Sequence, residues 1–524
     1  MKRIRRSCFY SMMGLCLAVT AYSANAGQPA EPNSAPVVIP TVQHWQGGQG
    51  RWELHDYVRI VINPADAGTL RPVAEALARE LADVSDIHPR IQQGKAGVAG
   101  DITLHLASCG QSLSSIGDEG YVLQADRSLS LCAHTRAGLF YASRTLLQML
   151  MLDGQAAGKH RSVPRGRIID YPRYHERAVM FDVGRKFASI KFLEDYIRFM
   201  GWYKLNTLHL HLNDQVISDD HRSWSIKAFR LKSDNPAFHD LLPPDGQYYT
   251  RQDWDRLEEV AAANGVNIVP EIDTPGHAGA LGVARPDLLY QGGTPSGGTL
   301  DPGNPQTLPY VESIFAEFLP WFRSKVIHIG GDEASVNKEG ITIESQVKYL
   351  NRLGQFLQRH GKQVEIWGNA DFADGLDKSF LIQRWINWGD EARFNWGKHG
   401  FRWTESYGDW YIVPFGPDYF NPKGVRGDTL YDGWDSRAPA SGLVSQGATG
   451  GQIAVWNDKG AHDYDYENTV HGLLKDAIPA AGQMFWRGQA RDDAGTPLGY
   501  PVLRKSIELL QYGPDAHLFE SSPL

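Results

Sequence analysis

Val326 to Glu333 reads VIHIGGDE: four residues of high β-propensity, a Gly-Gly pair and two adjacent acids. Along a regular strand neighbouring side chains point to opposite faces, so Asp332 and Glu333 could not both face one cavity if the strand simply continued. Glycine tolerates backbone conformations that other residues avoid, and the pair is read as the point where the chain leaves the strand. The two acids are then presented together at the C-terminal mouth of a strand, the place where parallel barrels keep their chemistry. A strand-ending turn with two solvated acids is the plainer reading of the same eight residues.

The surrounding sequence favours the barrel. After Pro164 to Arg167 (PRGR) the chain alternates strand, loop and helix. Strands are predicted at Ala178–Val183, Thr207–Leu212, Asn267–Ile272, Val326–Ile329, Val364–Trp367, Leu381–Trp385, Trp410–Val413 and Gln452–Trp456. Helices are predicted at Phe192–Trp202, Trp254–Asn264, Thr307–Phe322 and Ile343–His360, with closing helices from His471 and Val502. The pattern predicts an α/β chain: a (β/α)8 TIM barrel over 165–524, preceded by a small α+β domain over 27–164. Three connections, 215–253, 275–305 and 414–451, are long and rich in Gly and Pro, and in a barrel they rise beside Asp332 and Glu333 as walls or lids.

Residues 1–26 carry Lys2, Arg3, Arg5 and Arg6, an apolar run and Ala24-Asn25-Ala26, the pattern of a cleaved signal peptide. The expected compartment is therefore periplasmic or secreted, with no membrane anchor, since no other stretch is apolar enough to span a bilayer. Loss of the leader takes four of the 52 basic residues and none of the 60 acids, leaving a net charge of −12. That balance disfavours nucleic acid and anionic membranes as partners. Cys8 and Cys16 leave with the leader, and Cys109 and Cys132 either form one disulfide or remain two buried thiols.

Polar residues collect at the predicted strand ends: Asp182 and Arg185, His209, His211 and Asp214, Glu271, Asp273 and His277, Asp332 and Glu333, Asn457 and Asp458. Trp367, Trp385 and Trp456 stand at three further ends, where indoles beside acids suit the C–H faces and hydroxyls of a sugar. Taken together, HIGGDE, Asp182–Phe187 (DVGRKF), Trp202–Asp214 (WYKLNTLHLHLND) and Val269–His277 (VPEIDTPGH) resemble the family 20 glycoside hydrolases, the β-N-acetylhexosaminidases. The stretch from Glu119 (EGYVLQ) to Leu150 (LLQML) resembles the small domain that precedes their barrel.

The resemblance implies an oligosaccharide or glycan substrate, no cofactor and no metal. It also implies substrate-assisted hydrolysis, an exception to the rule of two enzymic carboxylates. Glu333 would protonate the glycosidic oxygen, with its pKa expected to be raised by burial beside Asp332, and Asp332 would orient the 2-acetamido group that attacks the anomeric carbon. By the same resemblance Arg185 clamps sugar hydroxyls, and Asp214 and His277 support the acid. Trp367, Trp385 and Trp456 box the sugar, and Tyr411 donates to the acetamido oxygen. Two departures, Val413 in YIVP and Asp458 in WND, resemble the branch of lacto-N-biosidases and glycan-acting exo-hexosaminidases, so release of one sugar or of two stays open. Other readings are a metal site on His209 and His211, a sugar-binding barrel without activity, and a retaining glycosidase with Glu271 or Asp458 as nucleophile.

Overall fold

A computed structural model describes residues 31–514 apart from 95–97, 108, 112, 154–160, 219–222, 293–296, 335–339, 435–445, 461 and 493. The leader read at 1–26 lies outside the described residues.

The N-terminal domain is a seven-stranded mixed sheet. Its two long helices, Ala67–Ser85 and Arg136–Asp153, bury apolar side chains such as Leu70, Leu77, Leu146 and Leu150 against it. Cys109 and Cys132 are joined by a disulfide, one of the two fates left open above. It closes a loop with a sequence separation of 23, and cross-linking a loop of that size stabilises a fold by roughly 3 kcal/mol. Cys132→Ala is expected to lower stability by about that amount in urea unfolding, with no further loss on adding reductant.

The sequence boundary at 164/165 cuts through a strand. Ser162–Asp170 pairs antiparallel with His44–Glu53 on one side and Tyr121–Ala125 on the other, so the small domain runs to Asp170. Pro164 is accommodated in that strand beside a register break between Gly47 and Arg51 on the partner strand. The two domains are joined by buried charges: Lys204 Nζ lies 2.9 Å from Asp170, and Arg177 Nη2 lies 2.8 Å from Glu119.

The barrel closes in chain order. Its strands are Glu176–Asp182, Thr207–His211, Asn267–Glu271, Val326–His328, Gln363–Trp367, Leu381–Arg384, Arg402–Glu405 and Ala448–Val455, with the last paired in parallel to the first. Apolar residues facing the surrounding helices, such as Val179, Leu208, Ile268, Ile327 and Ile382, are buried. The predicted seventh strand is corrected: Trp410–Val413 supplies only Tyr411–Ile412, and the seventh stave begins at Arg402. The long last strand pairs with Arg402–Glu405 along its first half and with Tyr411–Ile412 at its end.

Helices Ile190–Trp202, Arg251–Ala263, Thr307–Phe318 and Ile343–Arg359 follow the first four strands, while short 3-10 turns follow the fifth and sixth. Arg251–Ala263 and Ile343–Arg359 open on capping boxes, Thr250 with Asp253 and Thr342 with Ser345, which satisfy otherwise orphaned N–H groups. The long connection after the second strand opens on a β-hairpin, Asn213–Ile217 with Trp224–Phe229, none of whose residues lines the cavity that Asp332 and Glu333 share. Among the described residues no helix is long and apolar enough to cross a membrane.

Candidate active site

The fourth strand ends at His328, and Gly330 and Gly331 turn the chain with φ of 73° and 100°. A Cβ on Gly330 would lie 1.6 Å from Asp273 Oδ1, so the turn requires glycine there. Glu333 has φ of 51°, a conformation that costs a non-glycine residue free energy and is found where function fixes the backbone. The result is the arrangement expected from the sequence: Asp332 and Glu333 both line one cavity of ≈190 Å³ at the C-terminal face.

His277, at the end of the third strand, connects them. Its Nε2 lies 3.5 Å from Asp332 and 3.4 Å from Glu333, while its Nδ1 lies 3.0 Å from Asp214. Asp214 is fully buried and also meets Arg185 Nη2 at 2.8 Å and His211 Nε2 at 2.7 Å. Asp214 does not line the cavity itself but stands behind it, reaching the site through His277 and Arg185, in keeping with the supporting role that the resemblance implies. Arg185 is held by Asp182 and Asp214 and presents its guanidinium at the cavity wall, 5.7 Å from the centre of the Trp456 ring.

The charges differ from expectation. Burial, together with the Glu333 and Glu271 charges, pushes Asp332 up to about 6 against the opposing pull of His277. Glu333 moves the other way: the hydrogen bond from His277 is the largest influence and lowers its pKa, outweighing burial. Its side chain is 52% exposed, so desolvation is weaker than the sequence reading assumed. Burial opposes the charge on His277, but Asp214 and Asp332 outweigh it and hold the imidazole well above its ordinary value. The same contact thus favours the charged imidazole and the charged Glu333 together, with His277 Nε2 3.4 Å from the carboxylate.

Aromatic residues form the rest of the cavity. Trp367 and Trp456 lie 5.4 Å apart between ring centres, and Tyr411 and Trp456 lie 5.9 Å apart. Trp385 completes the wall, and among the described residues its buried Nε1 has no hydrogen-bond partner. Asp458 stands exposed at the rim and also lines the cavity. Trp388 and Phe420 line it too, although the sequence reading did not assign them. The WxxW spacing from Trp385 to Trp388 was the available signal, and the rings lie 5.6 Å apart edge to face. Of two larger cavities, the one against Lys505 and Leu509 (≈390 Å³) is lined by no acid, and the one against Val347 and Asn351 (≈640 Å³) has Glu344 and Asp371 in its wall but no aromatic residue.

Beneath the floor, Glu271 accepts from His209 Nε2 at 2.9 Å, His211 Nδ1 at 2.6 Å and Trp367 Nε1 at 2.7 Å. It is fully buried and cannot reach a sugar in the cavity, which removes it as an enzymic nucleophile. His209 and His211 share this carboxylate. The groupings with metal-ligand spacing are His209–Glu271–His328, His211–Glu271–Asp273 and Asp273–His277–Asp332. In the first two, Glu271 is engaged by His209, His211 and the Trp367 indole.

Comparison with known proteins agrees with this geometry. The catalytic-domain model of glycosyl hydrolase family 20 matches residues 174–470, and the domain 2 model of the same family matches 35–171. A lacto-N-biosidase of Bifidobacterium bifidum is 25% identical over 552 residues, covering 98% of this chain and 45% of that protein. A β-hexosaminidase of Akkermansia muciniphila is 33% identical over 304 residues, covering 51% and 59%. The chain thus spans about half the length of the curated relatives it matches. The N-acetyl-β-hexosaminidase structure from Streptomyces plicatus shares the fold, with a TM-score of 0.73 at 23% identity over 93% of this chain and 96% of that one. With both of its domains matched in order, the chain belongs to glycosyl hydrolase family 20.

Proposed function

We propose that the protein is an exported β-N-acetylhexosaminidase, which removes terminal β-linked N-acetylglucosamine or N-acetylgalactosamine from oligosaccharides or glycans. The observation that carries this reading is two neighbouring acids, linked by one histidine, above an aromatic cavity of ≈190 Å³. That volume lies below the ~300–1,000 Å³ of sites for drug-sized ligands and is on the scale of one sugar ring. Export is supported by the basic and apolar leader, and by a disulfide of the kind kept in oxidising compartments.

The reaction proceeds in two steps with net retention. The carbonyl oxygen of the substrate's acetamido group attacks the anomeric carbon while Glu333 gives a proton to the departing glycosidic oxygen. Asp332 holds the acetamido N–H and balances the positive charge that develops on the cyclic intermediate. Water then attacks the same carbon, Glu333 takes its proton, and the acetamido group is restored. Trp367, Trp385 and Trp456 enclose the sugar, Tyr411 donates to the acetamido oxygen, and Arg185 and Asp458 read hydroxyls at the rim.

A thiazoline mimic of the cyclised intermediate should inhibit competitively and bind at least ~100-fold more tightly than substrate. Aryl glucosides lacking the 2-acetamido group should be inert, and their ready hydrolysis would overturn the mechanism. A second reading, release of a Gal-GlcNAc type disaccharide, is favoured by the alignment of 98% of this chain with a lacto-N-biosidase, and by Val413 and Asp458 in the cavity wall. Matched aryl glycosides of the monosaccharide and the disaccharide decide between the two by their kcat/KM ratio.

A further inference from the structure

We propose that Asp273 is the positioning residue for Asp332: the two carboxyl groups hold one proton between them, carried on Asp273, so that Asp332 meets the amino sugar as an anion. The inference rests on the function proposed above, in which Asp332 orients the acetamido group.

Asp273 is wholly buried at the end of the third strand. Its backbone is clamped by the Asn213 side chain, which accepts from Asp273 N–H at 2.8 Å and donates to Asp273 C=O at 3.0 Å. Its Oδ1 accepts from Gly331 N–H at 3.2 Å. The Gly-Gly turn that delivers Asp332 is thus folded around the Asp273 carboxyl group. No side chain at 330 could share that space.

Two oxygens remain unaccounted for. Among the described residues Asp273 Oδ2 and Asp332 Oδ1 are both buried without a hydrogen-bond donor. They belong to carboxyl groups that, with His277, each place one ligand atom within 4.8 Å of the others. A buried oxygen left without a donor costs about 1–3 kcal/mol. Two such oxygens from neighbouring carboxylates are satisfied together by one proton, because like charges at that separation do not both ionise.

The groups facing Asp273 are Asp332 and Glu271, which disfavour its charge, His277 and His211, which favour it, and the Tyr349 hydroxyl. Burial is the largest influence and, with Asp332, holds Asp273 well above the usual carboxylate range. Asp332, raised less, is the member that ionises first. The pair titrates as a unit, so its proton belongs to both residues and is placed on Asp273 by the deeper burial.

The test uses the full chain with Asp273→Asn and Asp273→Ala. An Asn side chain still donates to Asp332 Oδ1 but carries no titratable proton, whereas Ala leaves that oxygen orphaned. Infrared difference spectra at neutral pH should show a protonated carboxyl C=O band in the wild-type protein that is lost in Asp273→Asn. On an aryl N-acetylglucosaminide, kcat should stay within about tenfold of wild type in Asp273→Asn and fall roughly 10- to 100-fold in Asp273→Ala, with KM changed much less. Absence of the band, equal kcat in Asp273→Ala and wild type, or wild-type activity lost on chelation and restored by a divalent cation would each overturn the shared proton. Turnover of aryl glucosides by the wild-type protein is measured alongside. It bears on the substrate-assisted reading alone, so the two failures are distinguishable.

Discussion

Glu333→Gln is expected to lower kcat by about 10²–10⁴-fold on a natural glycan while leaving KM nearly unchanged, because the amide keeps the shape of the side chain and removes its transferable proton. The structure gives the reason for concentrating the effect on this residue. Glu333 is the acid at the open side of the cavity, 52% exposed, with His277 Nε2 3.4 Å behind it. The loss should shrink for aryl glycosides whose leaving groups are acidic enough to depart without protonation. A residue that merely shaped the pocket would weaken all substrates alike, so the dependence on leaving group is the diagnostic measurement. Wild-type rates in this variant would place the proton donor elsewhere.

Asp332→Ala should cost about 10²–10³-fold in kcat, the loss seen when a preorganised group aimed at developing charge is removed. It carries a pH signature as well. Asp332 is pushed up to about 6, chiefly by burial, and the reaction needs its anionic form. kcat/KM should therefore fall as pH drops through about 6, approaching tenfold per unit below it, and recover as pH rises. Asp332→Asn, which cannot be protonated in this range, should lose that acid limb while remaining slow throughout. Retention of the limb in Asp332→Asn would assign it to another group.

The fold was legible because the barrel strands that pack outward on helices read as apolar runs between Gly-rich breaks, as at Thr207–His211 and Val326–His328. Arg402–Glu405 was missed for the opposite reason. It is a run of only four residues, and its polar Thr404 and Glu405 are both buried although they point to opposite faces of the strand. The domain boundary slipped because the change of rhythm was set at PRGR, whereas a strand of the small domain runs through those residues beside a register break that tolerates its Pro and Gly.

At the site, the cluster of acids, indoles and His277 could be named from residue types alone, since each stands at a strand end. Which neighbour each side chain faces could not. The Asp214–His277 relay came from the resemblance and not from the residues themselves, and Asp273 was noted at a strand end without any visible role because its partner lies on another strand. The charge on Glu333 was inverted for the same reason. The resemblance names His277 as a support of the acid, but only the fold shows a 3.4 Å approach whose influence outweighs burial.

The divided seventh stave has a consequence for how such a pocket diversifies. Arg402–Glu405 and Tyr411–Ile412 each make ladder pairs with the last strand, and the five positions between them make none. Insertions or deletions at 406–410 would therefore shift Tyr411 and Val413 against the fixed acids without unzipping the cylinder. That short splice is where a lineage could retailor the glycan it accepts while the proton chemistry stays untouched.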